Sequence, residues 1–270
     1  MGEAQPMKVT AIASGSKGNA TLIQYKNSAV LVDAGISARR IAKACKELGV
    51  PLTSIQGILV THEHTDHIAG IPQLIKQYGW PVYSRLGTIQ AIRYKYNLPE
   101  SCFVGLTKST LSLGSMVVEP FKTSHDAAEP MGLSCYGGST KATVLTDTGY
   151  VDDAMLRHVD DSNLLVLEAN YDPQMLKYGP YAPMLKQRVA GPEGHLSNEE
   201  AGRVLVMMKR PKHMSVIMAH RSENNNDVRV VTDTVDKETA QEGVYVDKDF
   251  TMYHGQPKEM VTIISEGEKV

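Results

Sequence analysis

The chain has 270 residues, 28 Lys and Arg against 30 Asp and Glu, a formal charge of -2, 42% hydrophobic and 21% charged residues. This is globular composition, which excludes disordered and fibrous classes. The near-balanced charge excludes a uniformly basic glove around nucleic acid, so any polyanion must be met by a local patch or by cations.

Cys45, Cys102 and Cys135 are scattered and form no C-x-x-C pair, which excludes a disulfide framework or zinc knuckle and fits a reducing compartment. No apolar run reaches the ~18 residues of a membrane span. The opening MGEAQPMKVT lacks the apolar stretch of a signal peptide, and Pro6 stands where a myristoylation motif needs Ser or Thr. The expectation is a cytoplasmic protein with no membrane partner.

In chain order, runs rich in Val, Ile and Thr predict strands over 7–13, 21–25, 29–32 and 57–60, each closed by Gly, Asn or Asp. Ser37 is placed to cap a helix reaching Leu48, where Gly49 and Pro51 stop it. A second helix is expected over 66–78, with Pro72 inside it and Gly79 and Pro81 beyond. Further strands are expected over 116–123, 142–146, 164–168 and 215–219. A helix over 197–209 opens with Ser197 and Glu200 at capping-box spacing. There is no repeat, low-complexity tract or linker, so one layered α/β (or α+β) domain over 1–270 is expected.

The chemistry concentrates where the strand at 57–60 runs out. Ile58-Leu-Val-Thr-His-Glu-His-Thr-Asp-His67 packs three imidazoles and the Asp66 carboxylate into six residues, the composition of a metal site. His62 and His64 are two apart and share a side on extended backbone. Asp66 and His67 lie where the chain turns into a helix, so two adjacent metals suit the motif better than one. Other β-rich runs also end in a ligand-type residue: Val30-Leu-Val-Asp33, Phe121-Lys-Thr-Ser-His125, Val144-Leu-Thr-Asp147 and Val216-Ile-Met-Ala-His220.

The ordered set Asp33, His62-x-His64-x-Asp66-His67, His125, Asp147 and His220 resembles the metallo-β-lactamase-fold hydrolases over about residues 7 to 221. The resemblance implies a four-layer αβ/βα sandwich of two mixed sheets flanked by helices, with metals at the edge of the sheets. It also implies that His62, His64 and His125 hold one divalent ion and Asp66, His67 and His220 the other. Asp147 bridges them and Asp33 orients ligand imidazoles. Asp66 thus counts as both ligand and catalytic residue. Ser14-Gly-Ser-Lys-Gly-Asn19 resembles the phosphodiesterase and nuclease branch. Leu167–Asp172, Gly194-His-Leu-Ser-Asn198 and Ser222-Glu-Asn-Asn225 resemble the bacterial YycJ/WalJ group of DNA exonucleases linked to repair, with Arg221 standing where that group has Leu.

That reading implies a metal-activated hydroxide attacking phosphorus, with no Ser or Cys nucleophile. Ser124-His125-Asp126 is not a triad merely by adjacency. His195 is the expected proton donor to the leaving oxygen, by resemblance to tRNA-processing members of the fold. The loop from Ser14 to Asn19 lacks Walker spacing, and either holds its own geometry or contacts a substrate phosphate. Lys177, Tyr178, Tyr181, Lys186 and Arg188 form a basic and aromatic stretch able to track a strand, and Asn224 and Asn225 are further substrate candidates. Mixed imidazole and carboxylate ligands suit zinc, with manganese or iron also compatible. The expected substrate is nucleic acid, DNA foremost. Rival readings are a small phosphodiester, ester or lactone hydrolase, a di-iron redox enzyme, and an idle regulatory module.

Overall fold

A computed structural model describes residues 5–266. Its strands are β1 (Lys8–Ala13), β2 (Ala20–Tyr25), β3 (Ser28–Val32), β4 (Ile55–Leu59), β5 (Val82–Ser84), β6 (Phe103–Gly105), β7 (Leu111–Leu113), β8 (Met116–Lys122), β9 (Met131–Gly137), β10 (Thr140–Leu145), β11 (Leu164–Glu168), β12 (Ser215–Ala219), β13 (Thr251–His254) and β14 (Val261–Ile264). The helices are α1 (Ala38–Glu47), α2 (Thr65–Ile68), α3 (Ile71–Tyr78), α4 (Leu86–Tyr96), α5 (Asp153–Val159), α6 (Pro173–Tyr178), α7 (Pro183–Val189), α8 (Asn198–Met207) and α9 (Val228–Gln241).

The strands form two seven-stranded sheets, β14-β1-β2-β3-β4-β5-β6 and β13-β12-β11-β10-β9-β8-β7. Each is mixed in the same way. Pairs from β14 to β3 are antiparallel and from β3 to β6 parallel. Pairs from β7 to β10 are antiparallel and from β10 to β13 parallel.

Period-2 alternation divides each strand between two cores. Val30, Val32 and Leu59 meet Val144, Val166 and Ile217 between the sheets. Leu31 and Ile58 face Ile41, Leu74 and Ile92 of α1, α3 and α4. Leu165, Leu167 and Val216 face Val159, Val204 and Val235 of α5, α8 and α9. The layers therefore run helix, sheet, sheet, helix, the αβ/βα order expected. Strands covered on both faces need continuous apolar runs, which is why Leu164-Leu-Val-Leu167 shows no polar alternation.

Caps fall where the sequence places them. The Ser37 side chain accepts from the N–H of Arg40, and Ser197 with Glu200 forms a complete capping box. The helix expected over 66–78 is instead two helices, broken at Ala69 and Gly70. The break lets the Gly70 N–H reach the carbonyl of Ala34 at 2.7 Å, and a Cβ on Gly70 would stand 2.2 Å from the Ile36 carbonyl oxygen. Pro72 falls in the first turn of α3, where its missing N–H costs nothing.

Candidate metal centre

The site lies at the carboxyl ends of β3, β4, β8, β10, β11 and β12, the edge where open α/β sheets present their ligands. Three of these ends turn through left-handed backbone at non-glycine residues, with φ of 59° at Asp33, 56° at Asp147 and 53° at His220. His64 is the cap residue of α2, which carries Asp66 and His67 in its single turn.

The seven ligand-type residues of the sequence pattern come together. Donor atoms of His62, His64 and His125 lie within 4.8 Å of one another, and so do those of Asp66, His67 and His220. Asp147 stands between them, grouping with His62 and His67 on one side and with His195, His220 and Glu168 on the other. His64 Nδ1 is 3.2 Å from His125 Nε2, and His67 Nε2 is 3.3 Å from an oxygen of Asp66 and 3.4 Å from one of Asp147.

Outer partners fix the rings. Asp33 accepts from His67 Nδ1 at 2.8 Å and from both the N–H and hydroxyl of Thr61 at 2.8 Å. The Thr61 hydroxyl also lies 3.0 Å from His62 Nδ1. His125 Nδ1 donates to the Gly194 carbonyl at 2.9 Å. Each contact leaves the opposite nitrogen for the centre, as ligating imidazoles require.

Glu168 is the residue that sequence reasoning missed. Fully buried at the end of β11, its Oε1 accepts from His195 Nδ1 at 2.8 Å and His220 Nδ1 at 2.9 Å. Its Oε2 accepts from the N–H groups of Thr148 and Leu196. The available signal was that β11, like its neighbours β10 and β12, is an apolar run ending in a ligand-type residue.

The site is crowded with both signs of charge. Burial and the neighbouring imidazoles His67, His125 and His64 push His62 well below its ordinary value. Burial also opposes charge on His220, but Asp147, Asp66 and Glu168 raise it to about 10. His67 is raised despite burial by Asp147, Asp33 and Asp66. Burial likewise opposes charge on the acids, yet His220 and His67 hold Asp66, and His195 and His220 hold Glu168, well below the carboxylate range.

This donor set fits divalent cations. Among the described residues, buried His62 Nε2 and Asp147 Oδ2 have no hydrogen-bond partner, although buried polar atoms are normally paired. Both belong to the clusters, and a cation held there would satisfy both.

The remaining candidates divide. The Ser14 hydroxyl accepts from the backbone N–H of His220 at 2.8 Å. The Asn19 side chain accepts from the Gly15 N–H and donates to Asp66 at 3.1 Å, so both residues brace the ligand loops. His195 lines a cavity of about 570 Å³ together with His64, Asp66, Asp147 and His220. Lys177, Lys186, Asn224 and Asn225 are outside its lining. Lys186 donates to the Lys177 carbonyl, and Asn225 is fully buried, holding Asp172 through its backbone carbonyl. Asn224 is exposed and reaches the Tyr181 hydroxyl at 3.4 Å. No described helix is long and apolar enough to cross a membrane.

The β-lactamase superfamily domain model matches residues 28–220, and the chain belongs to that family. It is a metal-dependent hydrolase of the metallo-β-lactamase fold. Among its relatives, the exodeoxyribonuclease YycJ of Bacillus anthracis is 33% identical over 249 residues, covering 92% of this chain and 94% of that protein. The exodeoxyribonuclease WalJ of Streptococcus pneumoniae is 32% identical over 260 residues, covering 93% and 94%. The metallo-β-lactamase fold protein YhfI from Bacillus subtilis shares the fold at a TM-score of 0.67 and 21% identity, over 96% of this chain and 100% of that one.

Proposed function

We propose that this chain is a two-metal phosphodiesterase acting on nucleic acid, a DNA exonuclease. The observation that carries the reading is the convergence of seven ligand-type side chains from four separate strand ends, with two of their buried donor atoms lacking a hydrogen-bond partner among the described residues. His62, His64 and His125 would hold one cation and Asp66, His67 and His220 the other, with Asp147 between them. A pair of divalent ions, zinc or alternatively manganese or iron, supplies Lewis acidity toward a phosphodiester and a nucleophile at neutral pH. DNA as substrate rests on kinship with YycJ and WalJ, and a place in repair on resemblance to their group.

The chain's own groups supply orientation and proton transfer. Asp33 and Glu168 hold His67 and His220 with Nε2 turned inward. Glu168 also grips His195 by Nδ1, leaving Nε2 to carry a proton to the leaving oxygen at the cavity wall. Asp66, kept ionised by His220 and His67, contributes negative charge that favours cation binding.

The test is elemental analysis of gently purified protein, then a substrate panel with zinc or manganese restored. It comprises end-labelled DNA and RNA, a cyclic nucleotide, bis-p-nitrophenyl phosphate and a thioester. Progressive loss of nucleotides from DNA ends is expected. Hydrolysis of the thioester with every phosphodiester untouched refutes the proposal.

A further inference from the structure

Among the described residues, the three most exposed large apolar side chains are Tyr94, Met184 and Tyr178, at 94%, 82% and 76%. All three lie on the elements that flank the cavity over the metal centre. Tyr94 precedes Lys95 in α4, and Lys95 lines the cavity. Tyr178 and Met184 lie in α6 and α7, around Tyr181, Leu185 and Arg188, which line it too. Exposed apolar groups gathered around one opening mark a binding surface rather than scattered surface residues.

Lys95 and Arg188 are the cationic side chains of the cavity lining. Lys95 donates to the Thr65 hydroxyl at 2.6 Å rather than to a carboxylate. Arg188 is held by Asp126 through Nε and Nη2, which leaves Nη1 for another acceptor. Of the acids in the same lining, Glu63 accepts from the Ala128 N–H, while Asp66 and Asp147 belong to the metal centre. Tyr181 is pre-positioned, because its ring packs on Tyr171, Leu176 and Val189. A cavity of about 570 Å³ lies in the range that encloses one ligand of nucleotide size.

We infer that the cavity receives the end of a single strand, with its terminal base unstacked and laid against Tyr181 and Leu185 while Lys95 and Arg188 hold flanking phosphates. Base–aromatic stacking beside a cationic track is how unpaired strands are held without sequence preference. Tyr178 and Met184 extend that track outside the cavity. The inference rests on the nucleic-acid reading and specifies how its substrate enters.

The experiment pairs a protein change with a substrate change. Wild type, Tyr181→Ala and Tyr181→Phe act on oligonucleotides ending in a normal or an abasic nucleotide. Wild type and Tyr181→Phe should prefer the normal end by about tenfold in kcat/KM, within the range for losing one base–aromatic stack. Tyr181→Ala should prefer it by less than ~twofold. Equal preference in wild type and Tyr181→Ala overturns the inference and leaves the nuclease reading intact. A terminal 2-aminopurine separates the opposite failure. Its fluorescence should change on binding to wild type but not to Tyr181→Ala, even if no DNA is cleaved. No change with wild type overturns the base contact independently of catalysis.

Discussion

Replacing Glu168 by Gln changes one oxygen of a fully buried carboxylate into an amide NH2 and removes the charge that faces two imidazoles. With the amide oxygen toward His195 and His220, the NH2 meets the N–H groups of Thr148 and Leu196. Turned round, it meets the two Nδ1 donors. Either way donors face donors around a side chain that is itself fully buried. Removing one partner from a buried, hydrogen-bonded charge pair costs about 3–5 kcal/mol, and freeing the outer partner of a ligating imidazole weakens metal binding by about 10–100-fold.

Urea unfolding of chelator-treated protein reads the first figure, and chelator competition with zinc reads the second. The pH dependence fixes the sign. His220 rises from 6.5 to about 10 in the fold, so its stabilisation is full below pH 6.5 and disappears as pH climbs toward 10. Without the Glu168 charge, this alkaline loss shrinks. A Glu168→Gln protein that keeps stability within about 1 kcal/mol and zinc affinity within ~threefold refutes the reasoning.

Four other outcomes are expected. His195→Ala should keep its metal content by elemental analysis yet lose about 10²–10⁴-fold in DNA turnover, with a smaller loss on bis-p-nitrophenyl phosphate, whose leaving group needs no proton; equal losses on both would remove the donor role. Metal loading at neutral pH should release protons, because His67 and His220 are charged in the metal-free site and ligate only when neutral. Calorimetry in buffers of different ionisation enthalpy measures that release, and a heat independent of buffer contradicts it. Gly35→Ala should destabilise by about 3 kcal/mol or more, since its Cβ would lie 1.5 Å from the Asp66 carbonyl oxygen; urea unfolding decides. Ser14→Ala should cost about 1–3 kcal/mol by leaving the His220 N–H unpaired, and a variant of unchanged stability with weaker DNA binding would return Ser14 to the role its sequence motif suggests.

The metal-site pattern was legible because its signals are local. Three imidazoles in six residues have no ordinary structural explanation, and Asp33, His125, Asp147 and His220 each close a visible apolar run. Their convergence was not local, since it depends on which strands become parallel neighbours. Glu168 escaped because a single acid after Leu164-Leu-Val-Leu167 reads as the solvated end of a strand, and only the packing of α8 and the loop of His195 over it makes it buried. β9 escaped for another reason. Its Gly132, with Gly137 and Cys135, shows no alternation, although the Phe121 ring leaves no room for a side chain at 132, where a Cβ would come within 2.4 Å. Lys95 escaped because nothing in residues 86–96 points to the site in sequence, and only the fold brings α4 beside Thr65 of α2.

The left-handed residues tie fold to site. A non-glycine residue in that region costs on the order of 1–3 kcal/mol and persists only where its surroundings over-determine it. Asp33, Asp147 and His220 all follow apolar strands whose own side chains are committed to the two cores, so continuing in extended backbone would keep alternating between those cores. The reversal in φ ends that alternation and delivers each side chain to the shared edge of the sheets. The compensating contacts are specific: the Asp33 N–H donates to Leu59 and the His220 N–H to Ser14, while the Asp33 carboxylate collects Thr61 and His67. Buried residues behind the ligands, Ser14 and Thr61 among them, thus set where the donor atoms stand. Variants at such positions would therefore be expected to bind metal more weakly through altered backbone geometry, even where every ligand side chain is kept.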